Sequence, residues 1–137
     1  SEELMDQLRS DIVAVMELTK MENPTKLTLI VSAVWKYTVF STLKKELEKT
    51  HDMKKLIQTV MDKEHGKEIV KIVQKTIKDA SFLPSAILSQ KTELQIIQEN
   101  MNQLENFAEN IEIVTAETTS HNKATQATPG KPAIVME

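Results

Sequence analysis

The 137-residue sequence contains no cysteine, which removes both a disulfide framework and any thiolate metal site and fits a reducing compartment. Glycine occurs only twice. A sandwich or barrel needs Gly-rich turns at short intervals, so this scarcity, with abundant Lys, Glu, Leu and Ile, points to helices. There is no signal-peptide pattern and no apolar run of the ~20 residues needed to span a bilayer, and the expectation is a soluble, cytoplasmic protein. A Gly-rich phosphate loop and a Gly-x-Ser-x-Gly nucleophile turn are both missing, so two common catalytic frameworks drop out. The first residue is Ser1 rather than an initiator methionine, which points to processing or to a piece of a larger protein. The length suits one domain with one sizeable core.

Charge is present in quantity and is unevenly distributed. The net charge of −3 averages over three regions: residues 1–26 sum to −3, residues 35–78 to +5 and residues 79–137 to −5. A ligand feels the field within about a Debye length, roughly 8 Å at physiological salt, so the middle third is where an anion would land.

Apolar spacing supplies the elements. Leu4, Leu8, Ile12, Val15 and Leu18 recur at helical intervals until Asn23-Pro24, giving a helix over 3–20. Residues 26–32, Lys-Leu-Thr-Leu-Ile-Val-Ser, read as a strand apolar on both faces and therefore covered on both. A second helix starts at Ala33 with Trp35, Val39, Leu43 and Leu47 on one stripe. Asp52 caps a third bearing Leu56, Ile57, Val60 and Met61, and Gly66 opens a fourth bearing Ile69, Val70, Val73 and Ile77. Ser89 caps a long fifth carrying Leu94, Ile97, Met101, Leu104 and Ala108, and Ile111 to Glu117 is a second strand. The fold class is α/β, with α+β as the alternative: a small sheet of about three strands, partly parallel, packed by about five helices. Met5, Met16, Met21, Met53, Met61, Met101 and Met136 are dispersed and read as core filler.

Three patterns could carry chemistry. His51, Asp52, Glu64 and His65 resemble metal ligands or a small hydrolase site, but a metal site needs three or four convergent side chains, and solvated helix ends explain them as well. Lys63, Lys67, Lys71, Lys75 and Lys78 fall on one stripe opposite Val70, Val73 and Ile77, either an ordinary solvated face or a phosphate-tracking one. Trp35-Lys36-Tyr37 lies at a strand-to-helix junction, where α/β sheets place their crevices. There Trp35 reads as core, and Lys36 and Tyr37 as freer to meet a ligand.

The end of the chain is unusual. Residues 118–128 are polar and aperiodic and read as a flexible linker between a compact domain over 1–117 and the terminal run 129–137. That run, Pro-Gly-Lys-Pro-Ala-Ile-Val-Met-Glu, reads as a strand docking back on the same domain, since undocked termini are polar and frayed.

Ser10-Asp11-Ile12, the strand Leu27-Thr28-Leu29-Ile30-Val31, the junction Ala33-Val34-Trp35-Lys36, the helix Lys71 to Lys78 and the terminal Pro129-Gly130-Lys131-Pro132 together resemble the C-terminal domain of leucyl-tRNA synthetases of the archaeal and eukaryotic cytosolic type. The resemblance spans nearly the whole chain and departs at Val34, where the family often has a proline-containing junction. It implies a tRNA-recognition appendage that grips the elbow and long variable arm of leucine tRNA and supports leucylation by the parent ligase. No catalytic residue, cofactor or metal is expected in this chain, because ATP and leucine are used by the parent's catalytic domain. Neither a His-Ile-Gly-His nor a Lys-Met-Ser-Lys-Ser signature is present. The implied partners are leucine tRNA and the remaining domains of the synthetase, with no membrane and a monomeric state. Within that frame Lys36, Lys71 and Lys75 are expected to supply backbone electrostatics, and Lys131, Ile134 and Glu137 base-edge contacts at an unpaired arm tip. A non-catalytic protein–protein interaction module of a larger complex is the alternative.

Overall fold

The structure, a computed structural model, describes residues 2–137; Ser1 lies outside the described residues. Five helices are present: α1 Glu2–Thr19, α2 Val34–Glu46, α3 Met53–Val60, α4 Gly66–Lys78 and α5 Gln90–Glu99. Three strands, β1 Lys26–Val31, β2 Asn110–Thr115 and β3 Ala133–Met136, form a sheet of order β2-β1-β3. The β1–β2 pair is parallel and the β1–β3 pair antiparallel. The α/β expectation of a small mixed sheet with five helices is met. The chain divides into two compact units, residues 2–34 with Leu88–Glu137, and Trp35–Ile87.

The first unit is built on the central strand β1, whose Leu27, Leu29, Ile30 and Val31 are fully buried because protein covers both faces of the sheet there. Burial of each such side chain stabilises by about 1.5–3 kcal/mol. Ile30 shares a cluster with Ala127, Ala133 and Val135, with Val114, Ala116 and Ala124 packed around it. Two of those alanines belong to the stretch read as a flexible linker. Residues 122–126 form a 3-10 turn there, capped by His121, whose Nδ1 accepts from Lys123 N at 3.1 Å. Lys123 Nζ also donates to the Ile134 carbonyl at 3.3 Å, so this segment is tied to the terminal strand. Alanine carries too little apolar area to announce such packing in a sequence.

Helix α1 buries Leu4, Met5, Leu8 and Ile12. It ends at Thr19, before Asn23-Pro24, because Lys20 adopts a left-handed conformation (φ 57°). The Met21 and Lys20 amides then donate to the Met16 and Glu17 carbonyls, satisfying groups the helix end leaves open. Helix α5 is shorter than its apolar spacing predicts. It stops at Glu99 because the Asn100 side chain donates to the Ile96 carbonyl at 2.8 Å, and a 3-10 turn over Met101–Gln103 follows. Leu104 and Ala108 are nevertheless buried, on non-helical backbone.

In the second unit, α2, α3 and α4 enclose Val39, Phe40, Leu43, Leu56, Val60, Ile69, Ile72, Val73 and Leu83. Asp52 caps α3 by accepting from the Lys54 amide at 3.0 Å. Lys44 on α2 donates to the carbonyls of Pro84 and Ser85, fixing the loop that leaves the unit.

Candidate nucleic-acid interface

Helix α4 decides how the second unit presents its charge. Ile69, Ile72, Val73 and Thr76 are buried, so the lysines between them are turned outward: Lys67, Lys71, Lys75 and Lys78 are all exposed. None of these four forms an ion pair within 4.0 Å among the described residues. Lys75 Nζ lies 5.6 Å from the Phe82 ring centroid, a cation–π contact that steadies its position. Four of the five lysines of the expected stripe are therefore a surface feature of α4, which brings Lys71 and Lys75 together on one face; Lys63, also exposed, precedes the helix.

Lys36 behaves differently. It was expected to be open to a ligand, but its side chain is only 5% exposed, with Nζ 3.9 Å from a Glu68 carboxylate oxygen and 5.6 Å from the Trp35 ring centroid. Burial pushes its amine below the ordinary lysine value; Glu68 works against that shift and Lys75 adds to it. Tyr37, also expected to be accessible, is buried. Both corrections have one cause: Lys36 and Tyr37 lie in the first turns of α2, whose residues have few faces free of protein. Trp35 packs against the helical core, and its ring stacks on His65 at 4.0 Å between centroids and 9° between planes.

His65 also closes a loop with Asp62, which the histidine pattern in the sequence did not include. Asp62 accepts from the Glu64 amide at 2.9 Å and pairs with His65 Nδ1 at 3.1 Å. These two contacts, the amide first, hold the Asp62 carboxyl below its usual range. Ligand atoms of Asp62, Glu64 and His65 lie within 4.8 Å of one another, but His51 and Asp52 do not join them. The four-residue constellation read from the sequence is not assembled.

The tail is held at three points. Pro129 and Gly130 occupy the centre of a turn closed by paired backbone hydrogen bonds between Thr128 and Lys131, at 3.2 and 2.8 Å. Gly130 has φ 80°, the value that a Pro-Gly turn of this type requires at its third residue. Its amide donates to Oε1 of Glu93, a carboxyl only 1% exposed, at 2.6 Å. Beyond the turn, β3 pairs with β1, and the Glu137 carbonyl accepts from the Thr25 and Lys26 amides at 2.8 and 3.3 Å. Ile134 lies opposite Leu29 and is buried, so its side chain is part of the core and not available to a base edge. Lys131 and Glu137 remain exposed, at opposite ends of β3. At about 3.3 Å per residue the six intervening steps separate them by roughly 20 Å, too far to address one base together. Near Glu137, Lys26 bonds Glu112 across the sheet at 2.9 Å, and this contact raises the Lys26 amine above its ordinary value.

Sequence reasoning missed Glu117. Its carboxylate accepts from the Val34 amide at 2.8 Å and from Gln90 Nε2 at 2.8 Å, while Gln90 also reaches the Ser32 carbonyl at 3.0 Å. Desolvation opposes its ionisation, but these donors together hold the carboxyl below its usual value. A proline at position 34 would have no hydrogen to donate, so Val34 and Glu117 form a matched pair.

Fold and charge together define a small mixed α/β domain carrying a basic helical insertion. Along 99% of its length the chain is similar to one segment of archaeal leucine–tRNA ligases. It is 29% identical over 136 residues to that of Pyrococcus abyssi, 30% over 140 residues to that of Pyrococcus horikoshii, and 27% over 137 residues to that of Archaeoglobus fulgidus. The chain spans about 14% of the length of these curated relatives. Each of these relatives is a leucine–tRNA ligase, and the chain aligns with one part of it. No protein-family model matches the chain.

Proposed function

We propose that this chain is the C-terminal tRNA-recognition domain of a leucine–tRNA ligase, gripping leucine tRNA at its elbow and long variable arm so that the parent enzyme can leucylate it. The observation that carries this reading is the match of almost the whole chain to one segment of leucine–tRNA ligases. The basic insertion and the docked tail give that segment the means. Lys71 and Lys75 offer ammonium groups to phosphates without reading sequence, and Lys131 and Glu137 are the exposed polar groups of the tail, each able to meet a different nucleotide. Lys36 contributes through its field from a buried position, and Ile134 by holding the tail on the sheet. The remaining domains of the synthetase are the second partner, and ATP and leucine are handled there, leaving this chain non-catalytic and free of cofactor and metal.

The test is binding of this chain to leucine tRNA with and without its variable arm, at one fixed salt concentration. Tighter binding to the intact tRNA is the expected result. Equal binding to both would reject arm recognition.

A further inference from the structure

We infer that the exposed face of α4 is a ruler for the phosphates of a single RNA strand, with Lys67, Lys71, Lys75 and Lys78 each meeting a successive phosphate; this rests on the tRNA reading above. The spacing carries it. On an α-helix these residues advance by about 6, 6 and 4.5 Å along the axis and stay within roughly 80° of one another around it. Steps of that size are of the order of the distance between neighbouring phosphates on one strand. The four ammonium groups are exposed and have no carboxylate partner within 4.0 Å among the described residues, and Gln74, also exposed, adds an uncharged donor between them. Glu68, at the margin of the stripe, is turned to Lys36 at 3.9 Å. The opposite side of the helix is committed to the core through Ile69, Ile72 and Val73, which fixes the rotation of α4 and keeps all four lysines on the same side. A protein partner bearing scattered acids would not need this regular step. A strand of one charge per nucleotide would.

Such contacts carry no sequence information and reveal themselves through salt. The measurement is the slope of log affinity against log salt concentration for this chain with leucine tRNA, and in parallel with an unrelated RNA duplex of arbitrary sequence. Lys67→Gln, Lys71→Gln and Lys78→Gln are each expected to make the slope shallower by about 0.7–0.9 on both RNAs, the change for one lost phosphate contact. Lys54→Gln, which removes an exposed lysine of α3, is expected to leave the slope unchanged. Unaltered slopes in the three α4 variants, or an equal change in the Lys54 variant, would overturn the ruler. The two readings fail separately. A preference for the intact variable arm with unaltered slopes removes the ruler and keeps tRNA recognition, whereas α4-dependent slopes on both RNAs without any arm preference keep the ruler and remove leucine-tRNA recognition.

Discussion

Truncating Glu93 to alanine should release the end of the chain while leaving the helical insertion intact. The Glu93 carboxyl is almost wholly buried and receives the Gly130 amide at 2.6 Å. Removing it leaves that half-buried amide without its acceptor. A typical hydrogen bond contributes about 0.5–1.5 kcal/mol, and an orphaned donor costs about 1–3 kcal/mol, so a local loss of about 2 kcal/mol is expected. Since 1.4 kcal/mol is tenfold, amides protected by the docked tail should exchange with solvent about 30 times faster. Hydrogen exchange reads this at Thr25 and Lys26, whose amides donate to the Glu137 carbonyl, and at Lys131 in the turn. Amides of α4, in the other compact unit, serve as the internal reference and should not change. Glu93→Gln, which keeps an acceptor oxygen in the same place, should fall between the two. Exchange at Thr25, Lys26 and Lys131 within about threefold of the original protein would refute the reasoning, because the turn would then be held by something other than this carboxyl.

Lys20→Gly should stabilise the protein by about 0.5–1 kcal/mol in urea unfolding, since glycine adopts the left-handed conformation at the end of α1 without the penalty a side chain brings; a loss of stability would mean that the lysine side chain has a role there. The Glu117 carboxyl titrates below its usual value, so the stability it supplies is complete above about pH 4.5 and is lost as pH falls through the depressed value. The urea midpoint of the original protein should therefore exceed that of Glu117→Gln by a constant margin near neutrality, and the margin should shrink below about pH 4. A margin independent of pH would show that the carboxylate is not favoured in the folded state.

Much of the architecture was legible because local chemistry agreed with the tertiary outcome. The spacing of Leu4, Leu8 and Ile12 gave α1 within one residue at each end, and Asp52 and Ser89 cap the helices they were expected to cap. β1 is apolar on both faces because both are covered, Leu27, Leu29, Ile30 and Val31 being fully buried. The failures have equally local causes. Leu104 and Ala108 kept the helical period beyond Glu99, but burial requires an apolar side chain at a place, not a helix to carry it there, and Asn100 ended the helix with its own side chain. Residues 118–128 lacked apolar period, yet Ala124 and Ala127 join the cluster around Ile30, and two small apolar side chains leave no period to read.

The candidate site divides in the same way. The lysine stripe was readable because α4 buries the other side of a regular helix. Lys36 was not, since its exposure depends on where the first turns of α2 lie, and neither was the distance between Lys131 and Glu137, which an extended strand sets at roughly 20 Å.

By itself, then, the sequence determined what short-range chemistry controls: helix period, caps, the charge of the middle third and the turn-forming Pro129-Gly130. Tertiary structure alone decided which groups separated in sequence would meet. It placed Glu93 under Gly130, Glu117 at Val34 and Ile134 against Leu29, and it buried Lys36. Such contacts arise from packing a whole chain to density, and no residue pattern along it encodes them singly.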